Sequence, residues 1–167
     1  MTGSTHILIG ALSGVILTSK MNITGVSAAS LTAISAISAL IPDIDMPGSK
    51  IGRKAKPASF ILNKTVGHRG IMHSLLGAII TAFIVKMYLS LQHFNYIIPG
   101  LNEAKITAGL LIGYLSHLLG DMMTKEGIPL LYPLIRRKIS IVGIKSGGIA
   151  EQIFSIILII IIFKMMI

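Results

Sequence analysis

The sequence predicts an all-α integral membrane helical bundle of about five transmembrane helices, with a metal site at their cytoplasmic ends. Three observations carry that expectation. The 167 residues are 53% hydrophobic and only 13% charged, with a mean hydropathy of +0.82, far from soluble averages. Several apolar runs come near or above membrane-spanning length between short polar breaks. The polar residues are also not scattered: of six carboxylates and five histidines, four of each fall in a few short motifs.

The apolar runs define five helices, over residues 4–19, 23–41, 70–91, 105–124 and 149–163. The first has a strictly apolar part of only residues 7–17, short enough for a re-entrant or interfacial piece, but counting Ser4 and Thr5 it nearly spans. No cation precedes it, which argues against a cleaved signal peptide. The second is rich in Ala and Ser and is expected to pack closely among its neighbours. Gly10 with Gly14, and Gly109 with Gly113, add small-xxx-small spacings that let helices approach. The last run is nearly pure Ile with Leu and Phe and reads as lipid-facing. With no internal repeat and no linker, residues 1–167 read as one domain. The absence of cysteine excludes disulfides, thiolate metal sites and a cysteine nucleophile. The nine methionines read as the start residue and packing filler.

If all five helices cross, the loops sort into two faces. The N-terminus, residues 46–69 and residues 125–148 share one face, which carries eleven of the fifteen Lys and Arg residues. Lys20, Lys86, Lys105 and Lys164 remain for the other. That bias makes the first face cytoplasmic. The net charge of +9 therefore reads as membrane orientation and headgroup contact rather than nucleic-acid binding, and Arg136-Arg137-Lys138 reads as a membrane-surface anchor. The apolar, proline-broken stretch 127–133 reads as an irregular interfacial segment that could roof the site.

Alternation of helix direction puts His6, Asp43, Asp45, His68, His73, His117, Asp121 and Glu151 on that same face, so all eight can converge as metal ligands. His117 and Asp121, four apart, project from one side of their helix. Asp121 stands out because an acid inside a membrane segment is costly and by default functional. His93 lies on the opposite face and reads as a packed or interfacial residue. Imidazole and carboxylate without thiolate suit Zn2+, with Mn2+ or Fe2+ as alternatives, and eight donors suffice for one to three ions. Arg69, beside His68, would hold phosphate oxygens, and Asp45 and Ser74 complete the candidate catalytic set.

Taken in order, His6, Pro42-Asp43-Ile44-Asp45, His68-Arg69-Gly70-Ile71-Met72-His73-Ser74, Gly113-Tyr114-Leu115-Ser116-His117 with Asp121, Thr124, Gly127 and Pro133, and then Glu151 form a pattern. It resembles the YdjM-like family of bacterial inner-membrane metal-dependent hydrolases over nearly the whole chain. The resemblance implies a distant likeness to the zinc-dependent phospholipase C and P1-nuclease enzymes, helical proteins that cleave phosphoesters at a trinuclear zinc site. It carries the metal role to His117 and Asp121, and also to His6, Asp43, His73 and Glu151. The chain departs from the phospholipases where a later His-xxx-Glu pair would stand, because Gly147 occupies the fourth position before Glu151.

Three functions are compatible with these residues. The expected one is a metal-dependent hydrolase of the bacterial inner membrane, acting on a phospholipid or polyprenyl-phosphate type of substrate from the cytoplasmic side. An ion or proton transporter would use intramembrane acids too, but needs them at mid-depth and on both sides, where this chain is almost bare. A non-catalytic protein with a structural metal site is the third.

Overall fold

A computed structural model describes residues 1–45, 70–92 and 98–167. Among these residues it holds five α-helices: α1 (Gly3–Lys20), α2 (Gly25–Ser38), α3 (Leu75–Leu91), α4 (Glu103–Met122) and α5 (Ile149–Met166). Two short 3-10 turns, Pro42–Asp45 and Ile71–His73, follow α2 and precede α3. Strand pairing among the described residues is limited to two isolated bridges, Thr124 with Ile144 and Ile128 with Ile139. The all-α expectation holds.

Capping chemistry moves the helix ends by a few residues from the apolar runs. Asn102 accepts from Lys105 N at 2.9 Å and starts α4 two residues early, at Glu103. At the other junction Ser74 Oγ accepts from Gly77 N, so α3 begins at Leu75 rather than at residue 70. The chain before it turns as a 3-10 segment that carries His73. Helix α2 ends at Ser38, short of the expected residue 41, because the chain is turning toward Pro42, and proline disfavours helical geometry in the residue before it. The first helix is one continuous piece of 18 residues.

Glycines decide how closely α1, α2 and α4 approach. A Cβ on Gly10 would lie 2.7 Å from Ala39 Cβ, and one on Gly14 would lie 2.7 Å from Thr32 Cα. On the other side of α2, a Cβ on Gly113 would lie 2.1 Å from Ser35 O. Ser35 is thus wedged between two glycine-lined helices, and its hydroxyl donates to Gly109 O at 2.9 Å. Both glycine pairs act as the spacing suggests. Leu31, Leu89, Leu101 and Ile106 fill one core, and Ala78, Tyr114, Leu118 and Ile128 fill a second nearer the end of α4.

Outward surfaces are strongly apolar. Ile79, Phe83, Met87 and Leu91 form an exposed stripe at four-residue spacing along α3, and Ile153, Ile156, Ile160 and Phe163 form another on α5. Among the described helices, α5 is the one both long and apolar enough to cross a bilayer, with a mean hydropathy of 2.2, and only 11% of it is buried. It is therefore not the core helix of a globular domain. Helices α2 and α3 are apolar but shorter, at 14 and 17 residues.

Candidate metal centre

The ends of α1, α2, α3 and α4 that the sequence places on one face meet at a buried polar cluster. His6 comes from the first turns of α1, Asp43 from the 3-10 turn after α2, His73 from the turn before α3, and His117 with Asp121 from the last turns of α4. His6, His73, His117 and Asp121 are all at most 2% exposed, and Asp43 is partly buried.

His117 sets the electrostatics. Its Nδ1 lies 2.7 Å from Ala39 O, and a carbonyl only accepts, so Nδ1 carries the proton and the ring is fixed in that tautomer. In the neutral ring Nε2 is then a bare lone pair. It faces Asp121 Oδ2 at 3.5 Å and Asp43 Oδ1 at 3.8 Å, two further acceptors. No described residue gives Nε2 a hydrogen-bond partner, and the same holds for His6 Nδ1. Three lone pairs converging in a dry pocket repel unless a positive species sits among them.

His73 Nε2 completes the arrangement, 3.6 Å from Asp43 Oδ1 and 3.7 Å from Asp121 Oδ2. A tetrahedral ion with bonds of about 2.0–2.1 Å separates its ligands by about 3.4 Å, close to the 3.5, 3.6, 3.7 and 3.8 Å of these four pairs. The other Asp121 oxygen, Oδ1, lies 3.2 Å from His6 Nε2 and 2.6 Å from the Met1 ammonium. The His6 and His117 rings stack with centroids 3.8 Å apart. Two groups can each hold a metal ion: His6 with His117 and Asp121, and Asp43 with His73 and His117. Burial pushes the Asp43 carboxyl up, but the imidazoles of His73, His117 and His6 around it outweigh that and hold it below the usual carboxylate range.

Neighbours to which the sequence assigned no separate role place these rings. Tyr114 donates its hydroxyl to Met72 O at 2.5 Å and so pins the turn bearing His73. Gly120 leaves room for His6, since a Cβ there would come within 3.2 Å of its ring.

Two expected site residues have their polar atoms engaged by other partners. Glu151 was expected among the ligands, yet four donors already surround its carboxylate: Thr2 N at 2.6 Å, Thr2 Oγ1 at 2.8 Å, Thr5 Oγ1 at 2.5 Å and Gly147 N at 2.7 Å. Sitting in the first turn of α5, it turns back onto the chain before its own helix and clasps the start of α1. Ser74, expected to be catalytic, has its hydroxyl engaged in capping, donating to Ile71 O at 2.6 Å and accepting from Gly77 N. His68, Arg69 and the side chain of Asp45 lie outside the described residues.

Comparison with known proteins agrees with the pattern of residues. The chain is 39% identical over 153 residues to the uncharacterized protein YvsG of Bacillus subtilis (strain 168), covering 92% of this chain and 86% of that one. It is 40% identical over 97 residues to inner membrane protein YdjM of Escherichia coli (strain K12), covering 58% of this chain and 46% of that protein, and equally to YdjM of Shigella flexneri. The match thus spans less than half the length of those two relatives. No solved structure matches. The family model described as YdjM inner membrane protein matches residues 1–166, so the chain belongs to the YdjM inner membrane protein family.

Proposed function

We propose that this protein is a multi-pass, membrane-embedded metallohydrolase that cleaves a phosphate ester of a lipid or lipid-linked substrate at the cytoplasmic face of the inner membrane. The observation that carries the reading is the lone pair of His117 Nε2 facing two carboxylate oxygens in a buried pocket, an arrangement that a divalent cation completes. Two carboxylates offset the charge of one divalent ion, and the imidazole and carboxylate donors favour zinc, with manganese or iron as alternatives. Such an ion supplies a Lewis acid for a phosphoryl oxygen and a nucleophile available near neutral pH.

The chain's own groups do the rest. Ala39 O orients His117, Tyr114 holds the turn of His73, and Asp121 presents one oxygen to each side of the cluster. Arg69, next to His68 in sequence, and Asp45, two residues past Asp43, are the candidates for phosphate binding and for proton transfer. The membrane reading is supported by the exposed apolar stripes of α3 and α5, by the eleven of fifteen cations that a five-helix topology assigns by sequence to one face, and by family membership.

The test is metal-dependent turnover. Purified protein loaded with zinc or manganese is offered phosphatidic acid, polyprenyl phosphates and a generic phosphodiester in detergent or liposomes. Chelation should abolish hydrolysis and metal should restore it, and Arg69→Lys should retain metal while losing about 10²–10³ in rate, as for loss of one charge-stabilising contact. If metal-loaded protein turns over no phosphoester while metal removal unfolds it, the cluster is a structural staple and the hydrolase reading falls.

A further inference from the structure

The segment between α4 and α5 is anchored to the site end of the bundle by backbone hydrogen bonds. Ile141 N donates to Met122 O at 2.7 Å, Ile144 N to Met123 O at 2.9 Å, and Leu75 N to Leu130 O at 2.9 Å. Ile128 is fully buried in the core that holds Tyr114 and Leu118. Beyond this root the segment turns outward. Leu134 is 90% exposed and Ile141 66% exposed, and between them stand Arg136, Arg137 and Lys138, also exposed.

No described carboxylate pairs with those three cations; the one ring contact is Arg136 over Tyr132 at 6.0 Å. Residues 127–148 contain no acid at all. Beside them lies an open hollow of about 390 Å³, lined by Leu131, Ile135, Arg137, Lys138, Ile139 and Ser140. Its lining combines two cations and a hydroxyl with three aliphatic side chains. Ser140 Oγ donates to Thr124 O at 2.6 Å, and Thr124 Oγ1 donates to Asp121 O at 2.7 Å, so two hydrogen bonds link the lining of the hollow to the backbone of Asp121.

We propose that this segment is a lipid-docking surface: Arg136, Arg137 and Lys138 bind the phosphate of an anionic phospholipid headgroup while Leu134 and Ile141 enter the acyl region beside it. Charge complementarity selects an anion, and the aliphatics select a bilayer. A nucleic acid would use the cations but leave Leu134 and Ile141 in water. The docking surface rests on the membrane reading above and would hold headgroups at the rim of the cluster, where a lipid phosphoester is needed.

The chain contains no tryptophan, so Leu134→Trp and Ile160→Trp each give a single tryptophan reporter, excited selectively over the four tyrosines at the red edge of its absorption. Full-length protein is placed in nanodiscs of phosphatidylcholine with rising phosphatidylglycerol, with bromine on the acyl chains as quencher. The Leu134→Trp emission should be quenched as phosphatidylglycerol rises. Adding Arg136→Ala, Arg137→Ala and Lys138→Ala should weaken the apparent lipid affinity by about fivefold per cation, on the order of 10²-fold in all. Salt at about 1 M, where the Debye length is about 3 Å, should do the same to the unsubstituted segment. Quenching of Ile160→Trp but not of Leu134→Trp would overturn the docking surface and leave the membrane reading standing. Quenching of neither would overturn both. Leu134→Trp quenching that ignores both phosphatidylglycerol and the three cations would overturn headgroup recognition.

Discussion

Replacing Asp121 by asparagine removes a charged ligand while keeping the shape of a side chain that is 2% exposed. In the native arrangement its two oxygens face His6, the Met1 ammonium, His73 and His117, at distances from 2.6 to 3.7 Å. Structural zinc sites bind with roughly 10–16 kcal/mol through four ligands, about 3 kcal/mol per ligand, so losing one ligand should cost roughly 10²-fold in affinity. At a metal concentration 100 times the native dissociation constant, native protein gains about 2.7 kcal/mol of stability, whereas the variant, now near its own dissociation constant, gains about 0.4 kcal/mol. At about 2–4 °C per kcal/mol for a chain of this size, the metal-induced rise in Tm should shrink by roughly 5–9 °C. The assay is elemental analysis of the purified protein together with circular dichroism melts with and without zinc. Lys125→Ala, on an exposed neighbour just past α4, should change neither. Equal metal content and an equal zinc-induced rise in Asp121→Asn and native protein would refute the coordination argument.

Three further expectations follow from particular contacts. Glu151→Gln should lower Tm, by the equivalent of about 1–3 kcal/mol for donors left poorly matched, yet leave the metal content of purified protein unchanged; stoichiometric loss of metal would return Glu151 to the ligands. Gly113→Ala should destabilise by about 1–3 kcal/mol or more, because its Cβ would overlap Ser35 O, while Gly3→Ala, whose nearest neighbour atom would be 3.7 Å away, should be almost silent in the same melts. Single cysteines introduced at Lys138 and Asn102 should react with an impermeant thiol reagent from opposite sides of the membrane, the first from the cytoplasm; labelling of both from one side would break the five-span topology.

Much of the architecture was legible because lipid-like apolar runs, glycine spacings and polar breaks are local signals. The runs located five helices, and the pairs at Gly10 and Gly14 and at Gly109 and Gly113 located the seam where α2 slots between α1 and α4. What was not legible is where local chemistry overrides apolarity. Ile71 and Met72 extend the apolar run of the helix that follows, but the Ser74 cap and the proximity of Ile71 O to Gly77, where a Cβ would lie only 2.3 Å away, keep residues 71–73 as a separate turn. His73 consequently reaches the cluster from a 3-10 segment rather than from a helix face.

The site divides along the same line. His117 and Asp121 share a helix face four residues apart, so their convergence is a local fact. The tautomer that turns His117 Nε2 into a donor for a cation depends on Ala39 O, 78 residues away, and the fate of the Glu151 carboxylate depends on Thr2 and Thr5, 149 and 146 residues away. Position on a face therefore brought Glu151 to the right end of the bundle without saying what it meets there. An acid is drawn into a metal cluster only if nothing nearer satisfies it, and Glu151 meets two backbone N–H groups and two hydroxyls first. Asp121 meets no comparable set of neutral donors: its neighbours are three imidazoles and an ammonium. That contrast between two buried carboxylates on one face separates a clasp that holds the start of α1 from a carboxylate in a group that could hold a cation.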